Sequence, residues 1–502
     1  MKELEDVLAS TKHRLRVSFW YVGQLLAWFP AILLLPVVFV IFYPEEWKYI
    51  TAFLVPAVVS FVSGYLLKKI SKLSNGHVVG YQEGAVIVVT TWIVAILLSA
   101  SPFIITGFLN FHQAIFEATS GWTTTGLTMF PDVESLPHVL LVWRSIMQFI
   151  GGAGFAVIML ATLIGPLGAS LYGSEGRVDN ILPNVTQSTK VIMIIYVTYA
   201  VLGMVLLHLA GMPWFDAFNH SLTALATGGF SVKNTSIGFY NSVSIETITI
   251  VLMILGGTGF GIHYTLWKGN FKAFLRNGEP WLMGTTIVLA TVFLVPHASK
   301  VFHENALRYT IFQVVSAITG TGFSNTDLVP WVALFPLGVF LLTVIMMLGG
   351  MMDSTAGGLK QFRVFVTLKL LVRAIRDFVG PRRKVGKIMV WKGESRRTID
   401  ENIIKDMFIF FGIYALTYLL GTLVLMSYGY DPLVSMFEFS SAMNGVGLSV
   451  GLTSPDLPVG VLWTMTLGMF LGRLEFLVVF YALARIIRDL KILLTENGGE
   501  IN

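Results

Sequence analysis

Four thirteen-residue stretches hold the residue types best suited to chemistry in this chain: Phe116–Thr128 (FEATSGWTTTGLT), Asn219–Ser231 (NHSLTALATGGFS), Phe312–Ser324 (FQVVSAITGTGFS) and Phe437–Ser449 (FEFSSAMNGVGLS). They align without a gap. Each ends in glycine, a large apolar residue and a hydroxyl residue: Gly126-Leu127-Thr128, Gly229-Phe230-Ser231, Gly322-Phe323-Ser324 and Gly447-Leu448-Ser449. Each stretch is small and polar, so the chemistry open to it is mainly that of its backbone. Glycine adopts backbone angles that side chains forbid. Four such turns around one axis would present stacked carbonyl oxygens able to replace the hydration shell of a monovalent cation, as in a potassium filter. The candidate ion-binding residues are Thr124, Thr125 and Gly126; Thr227, Gly228 and Gly229; Gly320, Thr321 and Gly322; and Gly445, Val446 and Gly447. A short helix before each turn would aim its partially negative C-terminus at a central cavity, which favours a cation.

Such segments need a scaffold, and the composition says which. The chain has 502 residues, of which 55% are hydrophobic, 13% aromatic and only 13% charged. The charged share is about half the usual ~25% of soluble domains. Apolar runs such as Gln24–Tyr43, Ile87–Ile105 and Trp331–Leu348 approach the ~20 residues that cross a hydrocarbon core. A barrel would show short alternating segments instead. There is no cysteine, which excludes disulfides, thiolate metal sites and cysteine nucleophiles. The charged N-terminus precedes a long apolar segment without a cleavage site, so it reads as a retained helix. The net charge of +5 fits positive-inside loops better than nucleic-acid binding.

The expected fold is an all-α polytopic membrane protein. An N-terminal two-helix hairpin (about Ser18–Phe42 and Tyr49–Leu67) precedes four helix–re-entrant pore loop–helix pseudo-repeats around one central ion pore. The divisions are 1–75 for the hairpin, 76–175 and 176–278 for repeats one and two, 279–398 for repeat three with a basic segment, and 399–502 for repeat four and the tail. Asn110 and Asp431-Pro432 offer helix start signals for the first and fourth short helices, and Asp216 lies near the equivalent point in the second. Lys360 to Arg397 holds twelve Lys and Arg against two acids, which places it on the cytosolic side. It reads equally as a lipid-facing surface or as a docking site for a regulatory partner.

A second constellation lies in repeat three. The helix after its turn breaks at Gly349-Gly350, then Asp353, Ser354, Thr355, Ala356, Gly357 and Gly358 follow before helix resumes near Leu359. A glycine-rich break at membrane depth needs a polar surrounding, so it should lie beneath the four turns. The plain alternative is a helix that ends at the surface. Arg473 sits in an apolar run, where an ionisable residue is a functional candidate by default. Its structural reading is a pair with Glu475 or a helix carbonyl; a partner in the Gly349–Gly358 loop fits better, because Glu475 two residues on points elsewhere on a helix. Glu117 and Glu438 occupy equivalent positions and are expected to bond buried backbone or Arg144. The runs GGAG (Gly151–Gly154) and GGTGFG (Gly256–Gly261) read as close-packing glycines within apolar helices, not nucleotide loops. His263 reads as a packed polar residue. Lys233, just past the second turn, is unusual beside a cation entrance; Asp132, Glu134, Asp327 and Asp456 could offset it.

Together with the four turns, three stretches carry a resemblance: WRSIMQFIGGAGFAVI (Trp143–Ile158), LGGMMDSTAGGLK (Leu348–Lys360) and LGRLEF (Leu471–Phe476). The chain resembles the Trk/Ktr/HKT superfamily of potassium transport proteins over nearly its whole length, and is most similar to the bacterial and archaeal Trk-type pore subunit. The resemblance implies potassium as transported ion, with the filter residues holding it, and no organic cofactor. It makes Gly349–Gly358 with Arg473 an intramembrane gate. It also implies a homodimer with one pore per chain, a cytosolic ring of nucleotide-binding (RCK-type) regulatory subunits, and residence in the plasma (inner) membrane. Glycine at all four key positions, Gly126 included, resembles the potassium-selective members. A sodium- or proton-coupled symporter would need a dedicated coupling site, and no suitable pair of membrane carboxylates is visible. An intramembrane enzyme is a weaker alternative, since no HExxH pair occurs and STAGG has no adjacent base.

Overall fold

The computed structural model describes residues 2–71, 80–154, 185–379 and 388–496. The expected divisions at 75/76 and 175/176 lie outside the described residues, as do Phe155–Ile158 and much of the loop after repeat one. Two helices, Lys2–Leu33 and Ile50–Ser71, form the N-terminal hairpin, joined by two 3-10 turns, Leu35–Ile41 and Pro44–Tyr49. Gly23 and Gly64 sit where these helices touch; a methyl group at either would meet the other helix's backbone.

Four units of one plan follow. The first has an outer helix Tyr81–Ile105, a short helix Phe111–Trp122 and an inner helix His138–Ala153. The second has Val185–Leu209, Trp214–Leu225 and Val243–Gly257; the third Gly278–Phe302, Ala306–Thr319 and Pro336–Leu348; the fourth Glu401–Ser427, Pro432–Met443 and Val459–Arg473. The short helices of twelve to fourteen residues reach only ~18–21 Å at 1.5 Å per residue, well short of a ~30 Å core. Their starts follow the sequence. Asn110 makes a capping box with Gln113, and Asp431 caps the amides of Leu433 and Val434 ahead of Pro432. Asp216 lies inside the first turn of its helix rather than at the cap.

Among the described residues six helical spans are long and apolar enough to cross a membrane. Two more pass the same test only as bent pairs: Val243–Gly257 with Phe260–Trp267, bent by 106°, and Val459–Arg473 with Leu477–Leu494, bent by 102°. These bends correct two expectations. Gly256–Gly261 is not interior to a helix; the chain turns at Thr258, and Gly259 packs against the Met352 carbonyl. Leu471–Phe476 is not a continuous helix either, since Glu475 and Phe476 take φ of 54° and 52°. The apolar run Trp331–Leu348 is also divided: Pro336 starts a new helix after Phe335.

Among the described residues, the basic segment holds the one departure from helical structure. After the helix Gln361–Val379 comes an antiparallel hairpin, Ile388–Lys392 with Ser395–Ile399. Its two-residue turn places Gly393 at φ 59°, the angle such tight turns require.

Candidate functional site

Each short helix runs directly into its glycine turn, and the four turns have the same backbone. The first and third residues of each triplet take positive φ: Thr124 56° and Gly126 94°, Thr227 50° and Gly229 74°, Gly320 67° and Gly322 82°, Gly445 62° and Gly447 96°. The middle amide always bonds back into the short helix: Thr125 to the Ser120 carbonyl at 2.9 Å, Gly228 to Thr223 at 2.8 Å, Thr321 to Ser316 at 2.9 Å and Val446 to Ser441 at 2.9 Å. Two positions here hold threonine in the left-handed region, where a β-branched residue is a strained exception.

The turns meet in a closed ring. A methyl group on Gly126 would strike the Gly228 carbonyl oxygen, and one on Gly229 the Thr321 oxygen. One on Gly322 would strike the Val446 oxygen, and one on Gly447 the Thr125 oxygen. Turn one thus touches two, two touches three, three touches four, and four returns to one. All four key glycines line a single cavity of about 570 Å³.

A buried bridge fixes each turn to its helix. Thr128 donates to Glu117 at 3.0 Å, and Ser449 donates to Glu438 at 2.6 Å. Gln313 Nε2 donates to Ser324 Oγ at 2.8 Å. His220 Nδ1 donates to the Asp216 carbonyl, which leaves Nε2 to accept from Ser231 at 2.9 Å. Glu117 and Glu438 therefore bond as expected: Glu117 also takes the Met129 amide at 2.7 Å and Arg144 Nε at 2.8 Å, and Glu438 the Val450 amide at 2.8 Å. His220 and Gln313 were missed because the residue type changes while the role does not. Their signal was alignment position, eleven residues before the closing hydroxyl. Gln148 was also missed; its amide grips the Gly228 carbonyl at 2.6 Å and the Phe230 amide at 3.1 Å.

The Gly349–Gly358 loop lies against the inner ends of the turns. Thr355 Oγ1 is 3.0 Å from Thr227 Oγ1 and bonds the Leu225 and Gly256 carbonyls at 3.0 and 2.9 Å. A methyl group on Gly357 would strike the Asn444 carbonyl, and one on Gly320 would come within 3.8 Å of Ala356 Cβ. Arg473 donates to the Thr355 carbonyl at 2.7 Å, to the Gly151 carbonyl at 2.5 Å and, at 3.4 Å, to Thr124 Oγ1. The loop and Arg473 together thus reach the first residue of turns one, two and three and the residue before turn four. Arg473 has its loop partner in a carbonyl, whereas Asp353 pairs with Lys392 at 3.5 Å. Glu475 pairs with Arg363 at 2.5 Å. Ser354 Oγ bonds the Met351 carbonyl at 2.6 Å, and Gly349 and Gly350 carbonyls accept from Gln361 at 2.7 and 2.9 Å. Helix resumes at Gln361, two residues later than expected.

Over the other end, Lys233 lines the cavity, 3.8 Å from Asp216 and 3.9 Å from Glu134. Asp132 does not face it; its carboxylate accepts from Asn234 Nδ2 at 2.7 Å, a bond that holds it below the usual carboxylate range. His263 packs with Nε2 2.9 Å from the Leu255 carbonyl.

A family model described as TrkH, cation transport protein, matches residues 57–275 and 282–489. The chain belongs to the TrkH family of cation transport proteins. It is a multi-pass membrane protein and a transporter, not an enzyme. The Trk system potassium uptake protein TrkH of Salmonella typhimurium is 32% identical over 78% of this chain and 83% of its own length. The TrkG protein of Escherichia coli is 31% identical over 93% and 97%. An uncharacterized cation transporter of Methanocaldococcus jannaschii is 31% identical over 86% and 88%. The crystal structure of the potassium transporter TrkH from Vibrio parahaemolyticus superposes with a TM-score of 0.80 at 26% identity, covering 94% of this chain and 98% of that one. The TrkH membership accounts for the helical architecture; the ring and the loop beneath it are features of this chain's own geometry.

Proposed function

We propose that the chain is the pore subunit of a Trk-type potassium uptake system in the plasma membrane, and that its four turns form one potassium-selective filter. The observation that carries this is the closed ring of Gly126, Gly229, Gly322 and Gly447, each against the next turn's carbonyl and all lining one cavity. Alternating handedness along each turn brings successive carbonyls to one edge, which a regular strand does not do. Four matched edges supply the oxygens that replace potassium's hydration shell.

On the same reading the five divisions of the chain are a hairpin and four pore units, and Gly349–Gly358 with Arg473 is the gate. Its contacts with the inner ends of the turns support that role: a loop there blocks ions in one conformation and clears them in another. The helix Gln361–Val379 leaves the loop toward the basic side, where a cytosolic nucleotide-binding ring would act on it. Four units already complete one ring, so each chain carries its own pore, and the homodimer that the family resemblance implies would hold two separate pores. Mixing wild-type chains with chains whose filter is blocked should leave half the conductance; complete loss would refute separate pores.

The test is rubidium uptake into proteoliposomes. Uptake down the rubidium gradient alone, blocked by excess potassium, is the expected result. Uptake only under an imposed sodium or proton gradient would establish coupled symport instead. The purified nucleotide-binding partner should raise the rate without becoming an absolute source of energy.

A further inference from the structure

The basic helix Gln361–Val379 follows the Gly349–Gly358 loop and buries Val366 against Val390, Ile399 and Met407. It packs against the start of the outer helix Gly278–Phe302, where Gly278 faces the Phe365 ring so closely that a methyl group there would collide with it. Beside that contact the two helices, with Ile388 of the hairpin, enclose a groove of about 520 Å³. One wall is Gly278, Trp281, Leu282 and Thr285, a stripe of helical spacing. The other is Phe365, Leu368, Lys369, Val372, Arg373 and Arg376, again one helical stripe.

The floor of this groove is apolar and its rim is cationic. Leu368, Val372 and Trp281 are 44%, 53% and 59% exposed. The same helix also exposes Leu371, Ile375 and Phe378, too much apolar surface for an aqueous face. Continuing along the outer helix, Val288, Leu289 and Val292 are exposed on a span long enough to cross a bilayer. Trp281 therefore lies near the level where aromatic residues settle at a membrane interface. Lys369 rests over the Phe365 ring at 4.8 Å, and Arg373 pairs with Asp377 at 3.2 Å. One carboxylate thus stands against three cations along the rim.

We propose that this groove is a binding site for an anionic phospholipid. The acyl chains lie on Trp281, Leu282, Leu368 and Val372, and the phosphate is held by Lys369, Arg373 and Arg376. A soluble partner would cover basic residues but would not match the apolar floor, and a neutral lipid would leave the cations unmatched. Basic pockets beside transmembrane helices on the cytosolic side have this chemistry. The site has a route to the loop: Gln361, the first residue of the same helix, bonds the Gly349 and Gly350 carbonyls. A lipid wedged in the groove sets the helix against the outer helix, and so biases the loop. That consequence rests on the gating role proposed above; the site does not.

Lipid retention tests the site directly. The full chain, purified from vesicles of equal phosphatidylcholine and phosphatidylglycerol, is examined by native mass spectrometry. Wild type should retain phosphatidylglycerol preferentially. Lys369→Gln, Arg373→Gln and Arg376→Gln combined should lower retention at least tenfold, given about fivefold per basic residue near an anionic surface. Thr285→Trp, which fills the groove and keeps every charge, should displace the lipid as well. Undiminished retention in both variants, or equal retention of phosphatidylcholine, overturns the proposal. So does displacement by millimolar inorganic phosphate, which would mark a soluble-anion site. Rubidium uptake compared between neutral and phosphatidylglycerol-containing vesicles then reads the coupling. If wild type shows no uptake in either, the pore reading fails while the retention result still decides the site.

Discussion

The outer and inner halves of the four units follow opposite rules. On the outer side the units agree: four turns share one pattern of φ, one backbone bond and one bridge to a closing hydroxyl. On the inner side they differ. The first inner helix stops at Ala153 with Gly154 at φ 88°; the second turns by 106° after Gly257; the third gives way to the Gly349–Gly358 loop; the fourth turns by 102° after Arg473. A ring that coordinates an ion must present equal ligands from every side. A moving part needs the opposite, one element free to shift against three that are fixed. On the function proposed above, the contrast assigns selectivity to the repeated half and control to the half that departs from it.

The largest effect should come from testing how equal the repeated half is in energy. Glu117 and Glu438 occupy the same position, but only Glu117 neutralises a buried arginine, Arg144. Glu117→Gln leaves that guanidinium in the core without its counter-charge, which costs about 3–5 kcal/mol. Glu438→Gln breaks no ion pair, so its loss should be clearly smaller. Thermal unfolding in detergent measures both; equal losses would mean the four bridges are equivalent in energy as well as geometry.

Next is the ring itself. Gly126→Ser forces a side chain toward the Gly228 carbonyl at a φ of 94° that only glycine holds without strain. Displacing the backbone costs about 1–3 kcal/mol, and if that cost falls on potassium alone the preference for potassium over sodium drops by roughly five- to 150-fold. Gly322→Ser meets the Val446 carbonyl in the same way and should match it. Relative uptake of sodium and rubidium decides the matter. Unchanged selectivity in a well-expressed Gly126→Ser protein would remove that residue from the filter.

The repeated half was legible in the sequence because repetition is local: thirteen residues align in register, and glycine marks where φ turns positive. Even there, Thr124 and Thr227 adopt left-handed angles that their type argues against, so only the alignment with Gly320 and Gly445 could place them. The inner half was far less legible. Gly256-Gly257 looks like helix packing, and Gly256 does pack on the Leu225 carbonyl, yet the helix ends one residue later. The mostly apolar run Met465–Tyr481 reads as one helix, and what bends it is tertiary: Arg473 reaches carbonyls of another helix and of the loop, and Glu475 reaches Arg363. The hairpin Ile388–Ile399 was hidden by the density of charge around it.

A third experiment addresses the half that departs. Arg473→Ala removes charge-assisted bonds to Thr355 and Gly151, each worth about 1.5–3 kcal/mol. If the described loop conformation is the blocking one, a bias of that size raises uptake about tenfold. It should also weaken dependence on the regulatory partner, and deleting residues from Met352–Gly358 should act in the same direction. Wild-type flux and regulation in both folded variants would make the loop a structural break.

The smallest effect lies where the repeated half itself loses symmetry. Two residues past the closing hydroxyl, the units carry Phe130, Lys233, Thr326 and Gly451, so this position adds one cation, Lys233, to the cavity that all four key glycines and the Glu117-paired Arg144 line. Lys233 sits 3.8 and 3.9 Å from Asp216 and Glu134 and 4.5 Å above the Phe239 ring, and is about one-fifth exposed. Pairs that long and that wet are worth about 0–1 kcal/mol, so the ammonium and its two carboxylates nearly cancel as seen by an arriving ion. Lys233→Gln unmasks the carboxylates and should raise potassium uptake about twofold at low salt. Glu134→Gln leaves the ammonium less compensated and should lower uptake by a similar factor. Both differences should fade near 1 M ionic strength, where the ~3 Å screening length is shorter than the pairs themselves. A Lys233→Gln effect that persists at high salt would mean that Lys233 acts by shape, holding Phe239 and the turn in place, and not by charge.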